Sequence, residues 1–135
     1  FGALKECVRW QRFDHLGVFA FSPEAGTRAL SLSGRVPAPV AARRRAELMR
    51  LQKRISRAKL RQRIGEEIEV LLEGPFPEAG SGLMVGRSRF QAPEVDGLTV
   101  VEGEGLRPGE LVKVRVTAAS DYDLYAIRLP SRPVG

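Results

Sequence analysis

The sequence predicts an α+β protein, in which a C-terminal five-stranded antiparallel OB-like β-barrel follows a long amphipathic helix and one further apolar strand. Three observations carry that reading. Residues 66–129 hold five short apolar runs separated by turn residues, the pattern of a small barrel. Residues 37–64 hold apolar side chains at helical spacing within a dense array of arginines. The length of 135 residues, 43% hydrophobic and 28% charged, suits one ordinary domain or two small ones. No run of about eighteen apolar residues is present, and no signal-peptide pattern opens the chain.

In chain order, Leu4–Trp10 mixes apolar and polar residues at helical spacing until Asp14 and His15 interrupt it. Leu16–Phe21 is a nearly continuous apolar run ending at Ser22-Pro23, which predicts a strand buried on both faces, as in a parallel sheet. Parallel strands need neighbours joined by crossovers, and the chain has no further βα units. It also lacks an initiator methionine, so it reads as a piece of a longer protein. Cys7 is expected as a small buried side chain, Trp10 as core or interface filler, and His15 as a structural or exposed histidine. One cysteine and one histidine exclude an internal disulfide framework and any metal or iron–sulfur site built from those residues alone. They fit a reducing, cytoplasmic compartment.

Pro37 and Pro39 suit a helix start and Gly65 a helix stop. Val40, Leu48, Leu51, Ile55 and Ala58 fall on one stripe, on which Arg44 intrudes. Residues 40–63 carry ten basic groups against the single acid Glu47, a charge of +9. Residues 1–39 carry +2 and residues 64–135 carry −5, so the overall +6 conceals a segregation. The helix could track phosphates or serve as a solvated connector. It lacks the interleaved aromatics of a specific nucleic-acid surface.

In the barrel, Ile68, Val70 and Leu72 alternate with acids, and Leu71 breaks the alternation. Val112, Val114 and Val116 alternate cleanly, and Leu83–Phe90, Leu98–Glu102 and Leu124–Leu129 complete the set. Gly80-Ser81-Gly82, Asp96-Gly97 and Pro108-Gly109 are turn signals, the last suited to a type II turn.

Phe13-Asp14-His15-Leu16-Gly17-Val18-Phe19-Ala20-Phe21-Ser22-Pro23-Glu24-Ala25-Gly26-Thr27 resembles the F-D-x-L-G-x-F-x-Y-S-x-E-x-G-T block of the methylthiotransferase family, near the end of its radical-SAM barrel. Phe21 stands where the family has tyrosine. Arg44-Arg45-Ala46-Glu47-Leu48-Met49-Arg50-Leu51-Gln52-Lys53-Arg54-Ile55-Ser56 is similar to the family's Arg-rich helix, which precedes a TRAM domain. Gly86-Arg87, followed by Ala92-Pro93-Glu94-Val95-Asp96-Gly97, resembles the branch that modifies an aspartate of small-subunit ribosomal protein twelve. So do Val112–Thr117 and Asp121-Tyr122-Asp123-Leu124-Tyr125, with Ala126 in place of the usual glycine.

The resemblance implies four regions. Residues 1–36 are the truncated end of a radical-SAM α/β barrel and 37–64 the connecting helix. Residues 65–130 are the TRAM barrel and 131–135 a tail. The intact enzyme is expected to use two four-iron four-sulfur clusters, each held by three cysteines, together with S-adenosylmethionine. One cluster would generate a deoxyadenosyl radical that takes hydrogen from the aspartate β-carbon, and the other would deliver sulfur. Cys7 satisfies neither triplet, so this chain alone is expected to be inactive and to position substrate. The expected partner is a basic ribosomal protein, with ribosomal RNA as a further contact of the helix and no membrane. Arg89, Glu94, Asp96, Asp121 and Asp123 are the candidate substrate contacts; the other reading makes Asp96-Gly97 and Asp121 plain turn residues. Glu24 and Thr27 lie beyond the expected strand's C-terminal end, where parallel barrels place functional groups; the other reading is a turn or helix cap. The alternative function is an RNA-binding TRAM module, of a tRNA methylthiotransferase or a stand-alone protein. The −5 charge of residues 64–135 argues against it, because phosphate recognition needs a positive face.

Overall fold

The computed structural model describes residues 1–77, 82–92 and 96–130. It divides into two compact units, Phe1–Ile55 and Ser56–Gly135.

The first unit is built on helix α1 (Gly2–Gln11) and the N-terminal part of helix α2 (Ala38–Gln62). Val8 of α1 is buried with Leu48, Leu51 and Ile55 of α2, and Leu16 and Val18 pack against this cluster. The residues expected on the α2 stripe therefore do form its inward face. Arg44 intrudes there because its guanidinium lies 5.1 Å from the centre of the Phe1 ring, a cation–π contact that accommodates the charge at the edge of an apolar cluster. Helix α1 ends at Arg12, which takes the left-handed conformation at φ 49° and donates its N–H to the Val8 carbonyl at 3.1 Å.

Three expectations for this unit need correction. Residues 16–21 form no strand: Leu16 and Val18 turn toward the helices, while Phe19 and Phe21 are 88% and 59% exposed. A strand needs a neighbour's backbone for its own, and here helix side chains take that place. The buried Gln52 amide donates to the Phe13 carbonyl at 2.7 Å, and Arg45 Nε donates to the Val18 carbonyl at 2.9 Å. Cys7 is exposed rather than buried, and Trp10 is 81% exposed rather than core. Helix α1 buries only the face of Val8, and those two residues stand roughly 100° and 160° around the helix from it.

The second unit is a closed barrel of β1 (Glu67–Pro75), β2 (Leu83–Arg87), β3 (Thr99–Glu102), β4 (Leu111–Ala119) and β5 (Leu124–Arg128), in the order β1-β2-β3-β5-β4. Each expected apolar run supplies one strand. The expectation of a wholly antiparallel barrel is corrected at one seam, since β3 and β5 pair in parallel. Strand β4 lies between β1 and β5, so the remaining side of β5 falls to β3, which runs the same way. Val70, Leu72, Val101, Val112, Val114 and Ala126 form the core, with Ile68, Met84 and Leu106 packed on it. Burial along β4 alternates from Leu111 to Thr117, as its period-two sequence requires, and breaks at Ala118, where the register with β5 shifts. Before β4, Glu110 N–H reaches the Arg107 carbonyl at 3.2 Å, and Gly109 sits at φ 83°, the third position of a type II turn after Pro108.

Candidate functional site

The outward face of β1 and β4 departs from a uniformly polar barrel surface. Its cross-strand partners are Glu67 with Arg115, Glu69 with Lys113 and Leu71 with Leu111. Leu71, the residue that breaks the alternation of β1, is 42% exposed, and Leu111 is 61% exposed. Together with the segment after β2 they line a groove of about 690 Å³, with Glu69, Arg89, Phe90 and Lys113 around it. Arg115 pairs with Glu67 at 2.6 Å, and Arg87 pairs with Glu73. Among the described residues, Glu69, Arg89 and Lys113 enter no ion pair. The groove thus offers an apolar floor, one open acid and two open bases.

Its wall is rigid by construction. The Gln91 side-chain oxygen accepts from the Ser88 N–H at 3.1 Å, the Ser88 hydroxyl at 3.0 Å and the Thr99 hydroxyl at 2.8 Å. All three residues are buried. Beside them the Arg63 guanidinium lies 3.7 Å from the centre of the Phe90 ring and also reaches Glu66 at 3.2 Å.

The acids singled out in the sequence are placed differently. Asp96 accepts the Ala92 N–H at 2.6 Å. Asp123 accepts the Leu98 N–H at 2.9 Å, and its own N–H donates to the Ser120 hydroxyl at 2.9 Å. Asp121 pairs with Arg57 at 3.3 Å. At Gly97 an added Cβ would lie 1.8 Å from the Tyr122 carbonyl oxygen, so residues 96–98 are pressed directly onto the turn before β5. Asp96 and Asp123 therefore belong to one locked junction, and of the four described candidates Arg89 alone lines the groove. Glu94 lies outside the described residues. In the first unit, the Thr27 hydroxyl donates to the Glu24 carbonyl at 2.8 Å, and the chain then enters a single 3-10 turn, Arg28–Ser31. With no strand before them, Glu24 and Thr27 form a turn on the surface.

The residues present do not fit an iron–sulfur cluster. Such a site needs several thiolates, and the single thiol of Cys7 points outward. Among the described residues, no group of three or more His, Cys, Asp or Glu side chains is placed to hold a metal ion. No helix among them is long and apolar enough to cross a membrane.

The groove's apolar pair was visible in the sequence only as the irregularity at Leu71. The Gln91 hub carried no signal, because its partners meet only when the chain folds.

The family model for the TRAM domain matches residues 64–128. Three curated proteins, each named ribosomal protein uS12 methylthiotransferase RimO, are similar over nearly the whole chain. That of Myxococcus xanthus (strain DK1622) is 47% identical over 133 residues, 98% of this chain and 28% of its own length. That of Sorangium cellulosum (strain So ce56) is 49% identical over 124 residues, 92% and 25% respectively. That of Syntrophobacter fumaroxidans (strain DSM 10017 / MPOB) is 50% identical over 127 residues, 93% and 28%. The chain spans about a quarter of the length of the curated relatives it matches.

Proposed function

The chain belongs to the RimO methylthiotransferase family, whose C-terminal part it matches, and from that membership we propose that it holds ribosomal protein uS12 while the rest of the enzyme methylthiolates one of its aspartates. The observation that carries this reading is the reach of the similarity. A TRAM barrel shared with unrelated modules would match only residues 64–128, whereas identity to the uS12 enzymes extends over as much as 98% of the chain, helix as well as barrel.

The −5 charge of residues 64–135 supports a basic protein substrate, since a summed field steers encounter and fixes orientation. In this reading the groove makes the contact: Leu71 and Leu111 bury apolar surface, and Glu69, Arg89 and Lys113 select polar partners. Asp96, Asp121 and Asp123 contribute to the field while bonded internally. The donors in this chain do not suit clusters, so the two four-iron four-sulfur clusters and S-adenosylmethionine are assigned to the remainder of the enzyme. A ribosomal substrate also implies a cytoplasmic location.

The test is association with isolated uS12, followed by stopped-flow fluorescence across a salt series. Weak binding that falls as salt screens the pair is expected, and the double variant Glu69→Lys, Glu104→Lys should slow association. A barrel of residues 65–130 that instead binds tRNA at physiological salt, and ignores uS12, would sink the proposal.

A further inference from the structure

Six of the seven arginines of α2, all but Arg61, fall into two classes. Arg44 lies over Phe1, Arg45 donates to the Val18 carbonyl, and Arg57 pairs with Asp121; the fold itself uses these. Arg43, Arg50 and Arg54 are exposed, and none makes a hydrogen bond or ion pair among the described residues. At 3.6 residues per turn these three lie within about 40° of one another, in a stripe about 16 Å long. The only carboxylate of the helix, Glu47, is hydrogen-bonded by Lys5. Glu47 lies in the same stripe, and its single charge is shared between Lys5 and the nearby Arg43 and Arg50.

From this arrangement we propose that Arg43, Arg50 and Arg54 form a docking track for an RNA phosphate backbone. The track shares no residue with the barrel groove, and the choice of RNA rests in part on the ribosomal substrate proposed above. Arg50 and Arg54 stand at i and i+4, where like charges repel. The stripe holds one carboxylate, Glu47, against three arginines, and that carboxylate is also hydrogen-bonded by Lys5, so an external polyanion relieves the repulsion that remains. The track spans several nucleotides at about 3.4 Å of axial rise each, and guanidinium forks match phosphate oxygens bidentately. A lipid surface fits poorly, because a membrane-bound amphipathic helix turns its apolar face to the bilayer, and here Leu48, Leu51 and Ile55 are buried in the unit's own core. The contact reads backbone rather than sequence, since no aromatic side chain stands on the helix to stack bases.

The test uses the full chain and a fluorescein-labelled oligouridylate of about twelve nucleotides, with affinity measured by anisotropy across a salt series. The triple variant Arg43→Gln, Arg50→Gln, Arg54→Gln should weaken binding at low salt at least tenfold. It should also flatten the slope of log K against log salt by roughly 2, since each single-strand phosphate contact contributes about 0.7. A control triple, Arg28→Gln, Arg35→Gln, Arg107→Gln, removes the same charge elsewhere and should leave most of the slope. Arg→Lys at the three track positions should keep the slope and lose affinity at fixed salt, which guards against a variant that fails through misfolding. Equal losses in the two Gln triples would overturn the track, and so would binding to anionic phosphatidylserine vesicles in preference to RNA. Binding of uS12 is measured on the same proteins. Equal losses in the two Gln triples on a chain that binds uS12 refute this inference alone, and a selective loss in the track triple on a chain that ignores uS12 refutes the proposed function alone.

Discussion

Gly97 shows how much a single position can decide. A methyl group there would meet the Tyr122 carbonyl oxygen at 1.8 Å, and backbone cannot swing aside as a side chain does. Gly97→Ala should therefore cost about 3 kcal/mol, the upper end for overpacking, seen as a lowered urea midpoint. Gly2→Ala, where an added Cβ meets nothing within 4 Å, is the matched control and should leave that midpoint unchanged or slightly raised. Gln91 is decisive for a different reason. Gln91→Leu strands three buried donors at once and should cost roughly 2–3 kcal/mol, with β2 and β3 losing exchange protection first. Both outcomes rest on contacts the sequence does not display. Asp96-Gly97 reads as a turn from its residue types, but the need for glycine comes from a segment more than twenty positions away. The turn role of Asp96 was legible as one of two readings; its N–H partner and the bonding of Asp123 to Leu98 and Ser120 were not.

At the scale of elements, periodicity was an adequate guide wherever an element buries one face. Helix α2 forms where its stripe lies, and the five alternating runs become the five strands. Residues 16–21 escaped that logic. An apolar run shows that side chains want burial, not which groups will take the backbone, and here Arg45 takes the Val18 carbonyl while Gln52 takes that of Phe13 just before the run. Leu51 is buried in the cluster that joins Val8 of α1 to α2. Leu51→Ala should destabilise the first unit by roughly 3 kcal/mol, as buried leucines do, raising hydrogen exchange across α1. The same pair of helices carries an acid-sensitive link. The hydrogen bond from the Lys5 ammonium holds the Glu47 carboxyl below its usual value of 4.5, with the nearby charges of Lys5, Arg50 and Arg43 acting in the same sense. A depressed native pKa means that the unfolded chain binds the proton first. The contribution is therefore complete above about pH 4.5 and fades as pH falls through the native value. Helicity of the wild-type chain should decline below that pH, measured by circular dichroism, and Glu47→Gln should remove that part of the decline.

For the molecule as a whole, two expectations follow from how the cores are divided. The barrel closes on its own apolar core, so residues 64–130 should fold alone and keep slow exchange in β1, β4 and β5. Residues 12–36, with no ladder of their own, should exchange within seconds to minutes in the full chain. Uniform slow exchange over both regions would contradict this division. Anaerobic incubation with iron and sulfide should leave the chain colourless, because one outward thiol cannot assemble a cluster; a stable brown chromophore would show the opposite. The family was legible from short motifs spread over the whole chain. The parallel seam between β3 and β5 was not, since strand direction depends on the order of closure rather than on residue pattern.

Closure of the barrel also limits how any partner can be recognised. Every strand has a neighbour on each side along part of its length, with β1 pairing β4 over Glu67–Leu71 and β2 over Leu71–Pro75, so no whole edge strand is left for a partner to extend. An extended peptide therefore finds no full-length edge to join. Its recognition falls mainly to side chains standing on the barrel's convex exterior, such as Leu71, Leu111 and Arg89. Those positions can be exchanged without disturbing the ladder beneath them. A scaffold of this kind can be redirected from one macromolecular target to another by a handful of surface substitutions, while its hydrogen-bonded frame and valine-rich interior stay the same.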